Sequence, residues 1–156
     1  KFYEKTIQLF NSIDVQKQKN IITQNLVIHA HGYLKEIQKA EHLFHSISNK
    51  DISVYNSIMN AYKVNNKYDD AIKIYNELLS NNNISLTTYT YSIILDIYIS
   101  MGALNEGYTI IQRLHSSEDN EMLNDPHIQS QIISLFGKCG YIDKATKLFE
   151  NIIKDE

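Results

Sequence analysis

Apolar residues recur along this chain at three- and four-residue intervals, the period of a helix with one buried face, and seldom alternate. Ile72, Tyr75 and Leu79 fall on one such face, Leu43 and Ile47 on another, and Ile93, Ile94, Ile97 and Tyr98 crowd a third. Breaks at Gly32, at Asn65 and Asn66, at Gly102 and from Lys138 to Gly140 cut the pattern into pieces about three turns long. The elements expected are short helices joined as hairpins. Asp51 stands before the run that ends at Tyr62 and Asp125 stands before Pro126, the residue types favoured as cap and first-turn residue of a helix.

The hairpins are copies of one another. Ala40, Ala71, Gly107 and Ala145 share one slot early in each second helix, at spacings of 31, 36 and 38 residues. Three residues earlier stand Ile37, Tyr68, Leu104 and Ile142; three and four later stand Leu43 and Phe44, Ile74 and Tyr75, Ile110 and Ile111, Leu148 and Phe149. The first helices agree through Ala30 and His31, Ala61 and Tyr62, Ile97 and Tyr98, Leu135 and Phe136. A small residue in the slot lets two backbones approach, and the large pairs beyond it fill the space between neighbouring hairpins. Thr6 takes the same slot in the stretch that ends at Phe10. The expected organisation is a single repeat domain over 1–156: a partial repeat at 1–20, full repeats at 21–51, 52–87 and 88–125, and a partial repeat at 126–156.

Composition narrows the partners. A net charge of −3 removes bulk attraction to polyanions, so any nucleic acid must be met locally. The lone Cys139 forms neither an internal disulfide nor a thiolate metal site. No stretch of about 18 apolar residues is present, so no membrane span is expected. The first residue is Lys1 rather than Met, and we expect a processed chain or a piece of a longer one.

Two helical repeat families share the slot alanine and the downstream aromatic, and they differ elsewhere. The tetratricopeptide repeat wants a small residue twelve before the alanine and tends to one seven after it, where this chain has Ile28, Met59, Leu95 and Ile133, then Ile47, Leu78, Leu114 and Ile152. The segments from Val54 to Tyr62 and from Phe136 to Ala145 instead closely resemble the pentatricopeptide repeat, and the uneven spacing resembles its mixed-length subclass. The fold this implies is all-α, a right-handed α-solenoid of helix-turn-helix repeats.

The resemblance implies single-stranded RNA binding, one base per repeat. Carried over residue by residue, the base selectors on the first helices are Asn25, Asn56, Ser92 and Ser130, paired with Asp51, Thr87 and Asp125 at the repeat ends; the fourth partner falls after Glu156. By the family's pairing rules Asn25 with Asp51 resembles a uracil reader, Ser92 with Asp125 a guanine reader, Asn56 with Thr87 leans to a pyrimidine and Ser130 to a purine, giving 5'-U-Y-G-R-3'. The side chains that sandwich bases in the family correspond to Ile22, Ser53, Tyr89 and His127, of which Ser53 cannot stack. The phosphate-contacting lysine corresponds to Lys138 alone, its counterparts being Tyr33, Val64 and Ser100. The implied setting is a mitochondrion or plastid, in RNA processing, editing, stabilisation or translation.

Plainer readings compete. Asp51, Thr87 and Asp125 also stand where helix caps belong. Asn and Ser are indifferent helix formers, so propensity does not demand them at the selector register, although a solvated groove tolerates them. The acidic balance and the missing lysines favour an alternative partner class, proteins of an organellar assembly such as a mitochondrial ribosome, with the chain as a structural solenoid. His42 and His45 beside Glu41 lack a further metal ligand, His31 replaces an aromatic packing residue, and Cys139 has no identifiable base. No His-x-Glu followed by Cys-x-x-Cys occurs, so no catalysis, metal, cofactor or small-molecule substrate is expected of these residues. Asn81 to Asn83 and Ser116 to Asn124 read as exposed loops between repeats.

Overall fold

The computed structural model describes residues 1–14, 20–81, 83–116 and 118–154. Among them are nine α-helices, one 3-10 helix and no strand. The chain divides into two compact units, Lys1–Leu86 and Thr87–Glu156. The first holds α1 (Phe2–Ser12) and two hairpins, α2 (Ile21–Tyr33) with α3 (Ile37–Ser46) and α4 (Ile52–Val64) with α5 (Tyr68–Ser80). The second holds α6 (Thr88–Met101) with α7 (Leu104–Ser116), the 3-10 helix Glu118–Asn124, and α8 (Pro126–Lys138) with α9 (Ile142–Lys154).

Each hairpin turns in the same way. The residue five before the slot alanine takes a left-handed conformation in every copy: Lys35 at φ 63°, Asn66 at 58°, Gly102 at 66° and Gly140 at 82°. The next backbone N–H then reaches back to a carbonyl of the first helix, Glu36 to His31 at 2.9 Å, Lys67 to Tyr62 at 3.0 Å, Ala103 to Tyr98 at 2.9 Å and Tyr141 to Phe136 at 2.8 Å. This closes the last turn and satisfies carbonyls that a helix end leaves unpaired. Repetition in sequence is thus repetition of backbone geometry.

The slot residues seat the second helices. Ala40 and Ala71 are fully buried in the first unit, beside Phe44, Tyr75 and Leu78, and Ala145 is buried in the second. In the first unit α2 packs along α4 and in the second α6 packs along α8, so first helix lies on first helix. The α2–α4 approach is close enough that a Cβ on Gly32 would stand 2.7 Å from Ala61 Cβ and 2.9 Å from its Cα. Asn65 Nδ2 locks that crossing by donating to the carbonyls of Gly32, at 2.8 Å, and Ala61, at 2.7 Å. Of the large residues that argued against a tetratricopeptide repeat, Ile28, Met59, Leu78, Leu95 and Leu114 are fully buried.

One expectation fails. The stretch from Ser116 to Asn124 is not an exposed loop: α7 runs through Ser116, and Glu118–Asn124 forms a 3-10 helix packed on α7 and α8. Its Met122 and Leu123 are half-buried, apolar anchors that a count of polar residues overlooks. Of the asparagine run, Asn83 is exposed and its N–H donates to Asn81 Oδ1 at 3.2 Å, whereas Asn82 lies outside the described residues.

Candidate nucleic-acid interface

The selector residues sit in the first two turns of the first helices, and the helix packing decides what they meet. In the first unit Asn25 on α2 faces the start of α4. Its Nδ2 donates to Ser53 Oγ at 2.5 Å, and Ser53 Oγ in turn donates to Asp51 Oδ1 at 2.6 Å. Asp51 Oδ1 also accepts the Val54 N–H at 3.0 Å, which makes Asp51 the N-cap of α4. Selector, repeat-end partner and the residue in the sandwich register are therefore joined by two hydrogen bonds. Asn25 is half-buried, with Oδ1 shielded and unpartnered among the described residues, while Ser53 and Asp51 are exposed.

The second unit repeats the arrangement with other chemistry. Ser92 on α6 is buried, and its Oγ lies 2.9 Å from His127 Nε2 on α8. Gln131, one turn further along α8, donates from Nε2 to Ser92 O at 2.9 Å, Ser92 Oγ at 3.2 Å and Asp96 Oδ1 at 2.6 Å. Asp125 Oδ1 caps α8 by accepting from the N–H groups of His127, at 2.9 Å, and Ile128, at 3.2 Å. In both units the residue two after the aspartate bonds to the selector of the preceding helix. That contact carries no apolar signal, and sequence reading assigned Ser53 and His127 only to the walls of the base slot. Gln131 and Asp96 were missed outright; the available signal was a polar residue at 131 among the buried Ile128, Ile132 and Leu135.

The remaining candidates are placed one by one. Asn56 is buried on α4, so a solvated groove does not account for it or for Ser92. Thr87 caps α6 and forms a reciprocal capping box with Thr90. Ser130 is exposed, and its hydroxyl donates back to the His127 carbonyl at 2.8 Å. Ile22 and Tyr89 are 67% and 53% exposed, apolar and aromatic surfaces open to solvent. Lys138 is exposed at the end of α8 and makes no ion pair among the described residues.

Cys139 is half-buried at the end of α8. His42 and His45 are exposed, and the described residues hold no cluster of three or more His, Cys, Asp or Glu that could take a metal. His31 is buried in its aromatic slot, with Nδ1 2.7 Å from Glu36 Oε2. That bond and one from Lys39 hold the Glu36 carboxyl below its usual range. No described helix is long and apolar enough to cross a membrane.

Comparison with known proteins places these repeats. The model of the PPR repeat family matches residues 50–99, and that of the PPR repeat matches 130–156. A pentatricopeptide repeat-containing protein of Arabidopsis thaliana is 25% identical over 134 residues, covering 85% of this chain and 22% of that protein. The chloroplastic pentatricopeptide repeat-containing protein DOT4 of the same plant is 28% identical over 116 residues, 74% of this chain and 13% of its own length. A pentatricopeptide repeat-containing protein named as mitochondrial is 25% identical over 123 residues, 79% of this chain and 20% of its own length. The chain thus spans a minor part of each relative.

Proposed function

The chain belongs to the pentatricopeptide repeat family, and from that premise we propose that it binds single-stranded RNA in an organelle, reading one base per repeat. RNA binding is the general role of the family, whose members are not catalysts in their repeats. The observation that carries the reading to these residues is that each selector bonds the side chain two after the capping aspartate, Asn25 to Ser53 and Ser92 to His127, at equivalent places in the two units. Each aspartate uses Oδ1 for its cap, and Oδ2 has no partner among the described residues. Capping and base reading are thus compatible duties of one carboxylate. Ile22 and Tyr89 offer exposed faces against which a base can pack, a contact worth about 1 to 3 kcal/mol for an aromatic.

The target that follows from the family's pairing rules is 5'-U-Y-G-R-3', with Ser130 at the fourth position. Lys138 is assigned to a phosphate. The test is selection from a randomised single-stranded RNA pool, followed by sequencing of the bound fraction. Enrichment of U-Y-G-R in that order supports the reading, and no enrichment sinks it in favour of a protein-binding scaffold.

A further inference from the structure

We propose that Ser53 is a positioning residue that makes the first base slot prefer uracil over cytosine, by fixing which end of the Asn25 amide faces the base. The inference rests on the RNA reading above and concerns how the slot chooses between two bases of the same size.

A carboxylate can only accept hydrogen bonds. Ser53 Oγ lies 2.6 Å from Asp51 Oδ1, so the single hydroxyl proton of Ser53 is committed to Asp51. Its oxygen is then left as an acceptor towards Asn25. The group that can answer at 2.5 Å is an N–H, and Nδ2 is what stands there. Turning the amide over would set Oδ1 against a hydroxyl oxygen with no proton to give. The direction of the chain, Asn25 to Ser53 to Asp51, is therefore set at its carboxylate end and transmitted by one hydroxyl.

The consequence lies in what remains. An amide nitrogen carries two hydrogens, and Ser53 uses one. The other has no acceptor among the described residues, while Oδ1 is shielded and makes no bond among them. The slot thus offers a donor. Uracil presents the O4 acceptor where cytosine presents the N4 amine donor, so a fixed donor attracts the first and meets the second donor to donor. Sequence register alone leaves Asn25 ambivalent, because an asparagine has both a donor and an acceptor.

The second unit provides the contrast. There the residue at the Ser53 register is His127, and an imidazole nitrogen can donate or accept according to its tautomer. Ser92 is touched by the same kind of neighbour without the same directionality, so the lock belongs to the Asn25 slot.

The experiment is pool selection with the unaltered chain and with Ser53→Ala and Ser53→Thr. Both change an exposed helix position, so these variants keep the fold, which thermal melts check. For the unaltered chain we expect U over C at the first position by about tenfold, the scale of one directional bond to a base edge. Ser53→Ala should bring that ratio to within about threefold of parity, and Ser53→Thr, which keeps the hydroxyl, should restore it. An unchanged ratio in Ser53→Ala overturns the inference and leaves RNA reading intact. Enrichment at later positions without U at the first overturns it as well. Enrichment of nothing by the unaltered chain overturns RNA reading and this inference together.

Discussion

Two glycines show how far single residues govern this chain, because their surroundings differ. Gly32 lies against the backbone of Ala61, at 2.9 Å from Cα for an added Cβ, and neither helix can yield without moving the other. Gly137, in the last turn of α8, has nothing within 4 Å of such a Cβ and an ordinary helical φ. Gly32→Ala should lower stability by about 2 kcal/mol or more, the scale of overpacking in a core, and Gly137→Ala should raise it by about 0.5 to 1 kcal/mol through helix propensity alone. Urea denaturation of both variants checks the pair, and equal effects would refute the close α2–α4 approach. Sequence reading marked Gly32 as a helix break, yet it sits inside α2 and the turn falls three residues later at Lys35. Glycine signals permissiveness, and whether the need is a turn or a close contact is decided by a partner 29 residues away. The same holds at Ser53: its register was legible, but its bond to Asn25 depends on how α4 lies along α2.

At the scale of elements, caps and slots were legible because they are local. Asp51, Thr87 and Asp125 cap α4, α6 and α8 as their residue types and positions suggest, and the alanine slot reports helix contact wherever it recurs. The 3-10 helix before α8 was not legible, since two half-buried apolar residues in a polar stretch make no period. The α1–α2 contact was equally hidden. It is built from rings, with Tyr3 stacked on Tyr33 at 4.7 Å between centroids and His29 at 5.9 Å and 4.7 Å from the two. Burial there lowers the His29 pKa from 6.5, so the folded state favours the neutral ring. A histidine with a depressed folded pKa contributes stability above its unfolded pKa and loses it as the pH falls below, because the unfolded chain takes the proton first. The stability of the first unit should decline between pH 7.5 and 5.5, and His29→Phe should reduce that decline. Urea midpoints at the two pH values provide the comparison, and an identical decline in both proteins would exclude His29 as a source. Glu36 does not confuse the result, since its carboxyl is held below 4.5 and its contribution is lost only at lower pH.

For the whole molecule the proposed RNA binding turns on how much of the affinity is electrostatic. The chain carries 15 Lys and Arg against 18 Asp and Glu, and Lys138 alone fills the phosphate register. Each phosphate neutralised on a single strand contributes about 0.7 to the slope of log affinity against log salt. One contact therefore predicts a shallow slope of about −0.7, against several units for a nucleic-acid binder that works by charge. On the proposed reading, affinity comes instead from packing on Ile22 and Tyr89 and from directional bonds at the selectors, terms that salt barely weakens. Lys138→Ala should flatten the slope to near zero, weaken binding alike for all sequences and leave the base preferences unchanged. Titration of a labelled U-Y-G-R oligonucleotide from low to moderate salt measures both proteins. A steep slope that survives Lys138→Ala would mean that lysines outside the repeat register meet the backbone, and the acidic balance would then be no guide to where the RNA lies.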